Sequence, residues 1–451
     1  MSGARAALAA MAGLSAAVAL AACGTGSDAT VTQTVTQPPA RTAPTTTATG
    51  TSDQTGAGAG TEGTPGGAST DAGIAGATGT QTSTSIYRPF AATSPWNTTI
   101  QGLAADTNSD RYITQAQERI GVIERGNTVT TERRRIDDPL FINTTRWTVP
   151  IVDEENGVQT KMICRQIPPD CGDGKNVETL LVPPNASPLP QYDGWFTILN
   201  RREGVGYDLW RARRGTGNVI SYQFMRRWSL SGPGFQTPNS VSARGSGLPL
   251  FAGVLLPEEI RAARIEHALA ISVPGPAQTN YVQPASATDG NGRLTSIPEG
   301  ARIRLRSDRY ADLMDLPTCR GRLRDAEGNF RSACIAPRTN RAAARAILTA
   351  LRRYGAIVVD RSRTPTLYAK LNADWSAPLR STDGRYLEPN GRTPLPKAQQ
   401  DRDSATPLLR GNEVQFLRLS DFEVLSLGTV YKFPPPGDTP VSNQTFTAVV
   451  P

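Results

Sequence analysis

Hydrophobic and polar positions along this chain alternate in short bursts. In Val219-Ile220-Ser221-Tyr222-Gln223-Phe224, the residues Ile220, Tyr222 and Phe224 fall on one face, the period-two pattern of a half-buried strand. Residues 195–199 and 207–213 share its aromatic and β-branched character, and Gly204, Gly206, Gly215 and Gly217 punctuate the run. Further strands are expected at 268–273, 301–306, 357–359, 366–369 and 422–425. Strands this short, at this spacing, predict a mainly β fold: an antiparallel β-sandwich or jelly-roll-like single domain with a few peripheral helices.

A helical period takes over twice. Pro257-Glu258-Glu259-Ile260 places proline at a first helical position and acids in the first turn, where the dipole favours them. The second helix starts at Asn340, a side chain suited to the N-cap, and runs through 341–353 to Tyr354. Ile347, Leu348, Leu351 and Tyr354 form its apolar stripe. Gly355 supplies a left-handed cap, and Ala356-Ile357-Val358-Val359-Asp360 leaves as a strand.

The N-terminus follows different rules. Arg5 precedes an apolar, alanine-rich run over 6–19, too short for a membrane-spanning helix and built like an export signal. Leu20-Ala21-Ala22-Cys23 then resembles the lipobox of bacterial lipoproteins. That resemblance implies a signal peptide at 1–22 and a diacylated Cys23 that anchors the protein on the extracytoplasmic face of the cell membrane. Residues 23–85 are Gly, Thr, Ser, Ala and Gln with few large apolar side chains, too few to offset the entropy of ordering. A disordered, lipid-anchored linker is expected there, followed by one β domain over 86–451.

Charge and cysteine usage fit an exported domain. The chain carries a formal +8. Residues 1–85 hold Arg5 and Arg41 against Asp28, Asp53, Glu62 and Asp71, so the remainder is more basic still. A basic surface outside the cytoplasm suits anionic polymers of the envelope; with no binding motif, nucleic acid is excluded as a partner. Apart from Cys23, four cysteines fall in two close pairs. Oxidising conditions predict Cys164–Cys171 and Cys319–Cys334 disulfides, each worth about 2–3 kcal/mol by loop-closure entropy. Their spacings are not those of zinc sites and the chain has a single histidine, so no metal is expected. No cofactor is expected either, because the glycine-rich pieces lack a phosphate-loop lysine.

An ordered series of short motifs runs through the domain: Ser94-Pro95-Trp96-Asn97-Thr98, Tyr207-Asp208-Leu209-Trp210, Gly247-Leu248-Pro249-Leu250-Phe251-Ala252-Gly253, Glu266-His267-Ala268-Leu269 and Asp421-Phe422-Glu423-Val424. The series resembles a largely uncharacterised family of exported bacterial proteins in which a His-Ala-Leu strand follows a short helix. The resemblance implies a domain that begins near Ser94 and draws attention to His267.

Candidate chemistry centres on two places. Asp208 and Trp210 share a strand face, and an indole beside a carboxylate suits a sugar, the ring packing on its apolar face while the acid accepts hydroxyl protons. A second acid from Asp193, Glu258, Glu259 or Glu266 would complete a carboxylate pair for glycoside hydrolysis. Alternatively His267, Tyr207 or Tyr222, and Arg211 or Arg213 would serve a lyase that neutralises a uronate and abstracts its α-proton. Asp208, His267 and Glu266 are therefore the candidate catalytic residues, and Trp210, Tyr207, Arg211 and Tyr222 the candidate substrate contacts. Arg302, Arg304 and Arg306 alternate with Ile303 and Leu305, and their face is expected to be solvated. Two functions stay open: a lipoprotein that binds or processes an envelope or extracellular glycan, and a non-catalytic envelope scaffold.

Overall fold

Asn340 and Gly355 bound the longest helix as expected. In the computed structural model, which describes residues 88–434 apart from 126–127, 167–169, 317–322, 325–329 and 332–337, the helix runs Arg341–Arg353. The Asn340 Oδ1 accepts from the Ala343 amide at 3.0 Å, and Gly355 takes φ 72°. Ile347, Leu348 and Leu351 are fully buried, each such side chain stabilising the fold by about 1.5–3 kcal/mol. We label this helix α4, after α1 (Ser109–Ala116), α2 (Pro257–Ala262) and α3 (Ser307–Met314).

The apolar face of α4 packs on a six-stranded sheet. Its strands lie in the order Phe422–Val424, Arg302–Leu305, Ala356–Arg361, Leu269–Val273, Thr366–Tyr368, Phe141–Asn143. Ile271, Ile303 and Val358 share a core with Ile347, Leu348 and Leu351 of α4. Ala270, Ile357, Val359 and Tyr368 belong to a second core with Trp195, Leu199 and Trp228, as the two-residue period of strands requires.

That second core joins the sheet to a four-stranded one, ordered Phe224–Ser229, Val205–Trp210, Phe196–Asn200, Ile151–Asp153. The other side of this inner sheet, with Phe196, Ile198, Leu209 and Met225, meets Met162, Ile220 and Tyr222 of an outer sheet. Three β sheets packed in succession in this way form a sandwich-like body, and the chain is mainly β. Its sheets are mixed. Leu269–Val273 and Ala356–Arg361 pair in parallel at the centre of the six-stranded sheet, with α4 in the crossover between them.

Cys164 and Cys171 form the expected disulfide at the outer sheet. The expected signal peptide, the expected lipidated Cys23, the expected linker over 23–85 and the expected Cys319–Cys334 disulfide lie outside the described residues. Among the described residues no helix is long and apolar enough to cross a membrane. The arginine-rich strand departs from expectation. Arg302 donates to the carbonyls of Tyr354 and Thr98, both at 2.8 Å, and Arg304 pairs with Glu423 at 2.6 Å. These two guanidinium groups are drawn in because they satisfy carbonyls at the end of α4 and along the N-terminal segment, while Arg306 stays at the surface with Asp110 and Asp308.

Candidate functional site

The residues singled out by sequence are held in the fold rather than gathered at a cleft. Asp208 is fully buried between the inner and six-stranded sheets. Its Oδ1 accepts from the Thr197 hydroxyl at 2.5 Å, and its Oδ2 from the Trp228 indole at 2.8 Å and the Leu250 amide at 2.7 Å. Burial pushes this carboxyl up to about 6, against those donors and the nearby Arg244. Trp210 is stacked on by Arg211 at 4.6 Å. Tyr222 is buried and donates to the Lys175 carbonyl at 3.0 Å. Tyr207 is buried beneath Arg227.

His267 lies just before the strand Leu269–Val273. Its Nε2 meets Glu259 Oε1 at 2.8 Å and its Nδ1 lies 2.9 Å from the Ala268 carbonyl. Burial disfavours the imidazolium, but Glu259 outweighs it and the histidine is raised above its ordinary value. Glu259 also accepts from the Leu256 amide at 3.0 Å, so the pair fastens α2 to the sheet. Glu266 is half-buried beside Arg264 and Arg88, at 3.7 and 4.0 Å. The Ser94–Asn97 segment is likewise structural: the Trp96 indole donates to the Gly234 carbonyl, and the Asn97 amide to Pro89, Phe90 and Ala91.

A cleft of about 790 Å³ opens instead at the ends of the central parallel strands. Ser272, Pro274, Asp360 and Arg361 line it from those strand ends, together with Trp147, Tyr192, Asp193, Trp195, Asp289 and Tyr368. Carboxyl ends of parallel strands are where ligand sites form in wound sheets, because side chains there project beyond the sheet. The register slips between Ile271 and Ser272, so that Ser272 faces Asp360 and not Val359. Such bulges re-aim side chains beside functional sites.

Arg244 links this cleft to Asp208. Its guanidinium is buried between the Trp195 and Tyr368 rings, 5.1 and 5.0 Å from their centroids. The Arg244 Nε lies 3.8 Å from Asp360 Oδ2, and Nε and Nη2 have no hydrogen-bond partner. Gly245 follows it: a Cβ there would stand 2.3 Å from Asp289 Cγ, so a larger residue would displace the Asp289 carboxylate.

Asp193, Asp289 and Asp360 line the cleft, and Glu299 lies buried beside the last two. Asp289, Glu299 and Asp360 each bring one carboxylate oxygen within 4.8 Å of the others. Burial raises Glu299 and Asp360, and the neighbouring Asp289 raises both further. Burial also raises Asp193, against the lowering influence of Arg211. Arg361 answers part of this charge, 3.4 Å from Asp289.

The rim is aromatic. Trp147 is 45% exposed, with the Tyr192 ring 5.4 Å away and Arg146 over Tyr192 at 5.9 Å. Trp147 and Asp193 both hold left-handed backbone, φ 51° and 62°, which costs about 1–3 kcal/mol per non-glycine residue and clusters at functional sites.

None of the seven candidate catalytic and substrate residues lines this cleft. Arg211 comes nearest, its amide donating to the Asp193 carbonyl at 2.9 Å. Of the acids considered as second partners only Asp193 is present. Asp289, Glu299, Asp360 and Arg244 were missed. One signal pointed to Asp360, an acid closing the apolar run Ile357-Val358-Val359 after a glycine-capped helix. A scan against protein-family models and searches of the curated proteins and of the solved structures found nothing that matches this chain.

Proposed function

We propose that this chain is an exported, lipid-anchored protein whose β domain binds an envelope or extracellular glycan in the cleft between Trp147 and Asp360. The observation that carries the reading is the Trp147–Tyr192 pair on the cleft rim, with Trp147 45% exposed. A large ring left open to water loses hydrophobic stabilisation that a sugar face restores on binding. Behind the rings, Asp193, Asp289 and Asp360 offer acceptors to hydroxyls, and Arg361 and Arg363 offer donors to acidic sugars. The lipobox Leu20-Ala21-Ala22-Cys23 supports the address.

The test is affinity electrophoresis of the full-length protein through gels containing wall and extracellular polysaccharides, with mass spectrometry of any products. Retardation by at least one polysaccharide, lost in Trp147→Ala, is expected. Migration unchanged by every polymer overturns the reading. Product fragments would add catalysis to binding.

A scaffold reading draws on a different observation. Asp208 and His267 are fully occupied by bonds within the fold. It gains if Asp208→Asn and His267→Ala leave the cellular phenotype intact while no glycan is retained.

A further inference from the structure

We propose that Asp289, Glu299 and Asp360 bind a divalent cation of the calcium class at the polar end of the cleft. The spacing is the first argument. An ion that bonds oxygens at about 2.4 Å holds any two of them no further apart than about twice that distance. One oxygen from each of these carboxylates already lies within 4.8 Å of the other two.

The second argument is an oxygen with nothing to bond to. Glu299 is fully buried, its Oε2 accepts from the Asp289 amide at 3.3 Å, the Thr288 hydroxyl also acts on the carboxyl, and Oε1 meets no donor in hydrogen-bonding geometry. Buried polar atoms are nearly always met, and an unmet oxygen within reach of two further carboxylates is a position that a cation can fill. The two neighbouring guanidinium groups pair with Asp360 and Asp289 and not with Glu299. Arg244 approaches Asp360 at 3.8 Å and Arg361 approaches Asp289 at 3.4 Å, so two guanidinium groups stand against three carboxylates.

The donor chemistry selects the ion. The cluster holds oxygen alone, with no histidine or cysteine, which favours a hard cation over zinc or copper. Three carboxylates cannot fill a calcium shell of six to eight oxygens. Asp289 and Asp360 face the cleft, from which water can supply the rest. The loosely spaced set suits calcium better than magnesium, which demands near-ideal octahedral geometry.

The site also ties separate parts of the chain together. Gly300 donates to the Val358 carbonyl at 2.8 Å, so the Glu299 turn and the Asp360 strand end already touch, and Asp289 arrives from another loop. An ion bound only by the folded chain stabilises it by mass action.

Calcium binding is measured on the full chain stripped with EDTA, by calorimetry and by terbium luminescence, with no glycan present. One site with a dissociation constant on the order of 10⁻⁴ M is expected, as in extracellular modules, and Tm should rise by several degrees. Glu299→Gln and the rim variant Asp289→Asn should each weaken binding at least about tenfold. Asp289→Asn serves if the buried variant fails to fold, because Asp289 is exposed. No binding heat and no terbium signal up to about 10 mM metal overturn the proposal, as does unaltered affinity in folded Asp289→Asn. Because the glycan is absent from the assay, either result leaves the glycan reading to its own test.

Discussion

Asp208 and Glu299 are both fully buried carboxylates, and they differ in what meets them. Asp208 receives three hydrogen bonds on two oxygens from Thr197, Trp228 and Leu250. Glu299 has one oxygen unmet and beside it two other acids, Asp289 and Asp360, that line the cleft. Arg244 sits between the two regions and acts on both Asp208 and Asp360. The contrast separates a carboxylate that specifies the fold from carboxylates held ready for a ligand. Burial alone does not distinguish them; satisfaction does.

The largest effect is expected at the satisfied acid. Asp208→Ala strands the Trp228 and Leu250 donors in the core and should cost about 3–5 kcal/mol in urea unfolding. Asp208→Asn should cost only about 1 kcal/mol, since its oxygen can keep both donors while its amide faces the Thr197 hydroxyl, which can reverse to accept. Equal losses in the two variants would erase the distinction drawn here.

The pH dependence follows from the same carboxyl. Asp208 is raised by burial from 3.8 to about 6, so the folded state holds its proton more tightly than the unfolded chain. Its contribution is present below about pH 4 and is lost as pH rises through about 6, a decline of about 3 kcal/mol. Glu413, raised by burial to about 7, acts in the same direction. Denaturation between pH 4 and 7 should show the Asp208 share of this slope vanish in Asp208→Asn.

At the crowded acids the sign should reverse. With metal removed by EDTA, Asp360→Asn relieves repulsion from Asp289 and Glu299 and should raise stability by about 1 kcal/mol, as neutralising a strained ligand site does. A loss of that size would place Asp360 with Asp208, among the structural acids. The smallest effect belongs to the rim. Trp147→Ala should cost less than about 1 kcal/mol, because nearly half of the residue is open to solvent.

What could be read from sequence follows from the range of the interactions. The caps of α4 were legible because Asn340 and Gly355 act within one turn. The strands around 196–210 and 356–361 were legible because alternation and short apolar runs are local signals. α1 and α3 were missed: both are short and neither has a side-chain cap bond. The parallel pairing through α4 was missed because periodicity says nothing of strand partners. Asp208 was found and misassigned for a related reason. A carboxylate beside an indole reads the same whether its partners are core donors or a sugar. The Asp289–Glu299–Asp360 cluster was invisible because each acid sits in an ordinary-looking turn or strand end, and only the tertiary fold brings them together.

The most direct measurement compares the two regions in one gel. Full-length wild type, Trp147→Ala and Asp208→Asn are run through the polysaccharide that retards the wild type most. Trp147→Ala should lose at least about tenfold in affinity, about 1.4 kcal/mol, while Asp208→Asn binds as the wild type does. Retention unchanged in Trp147→Ala and lost in a folded Asp208→Asn would contradict the glycan reading.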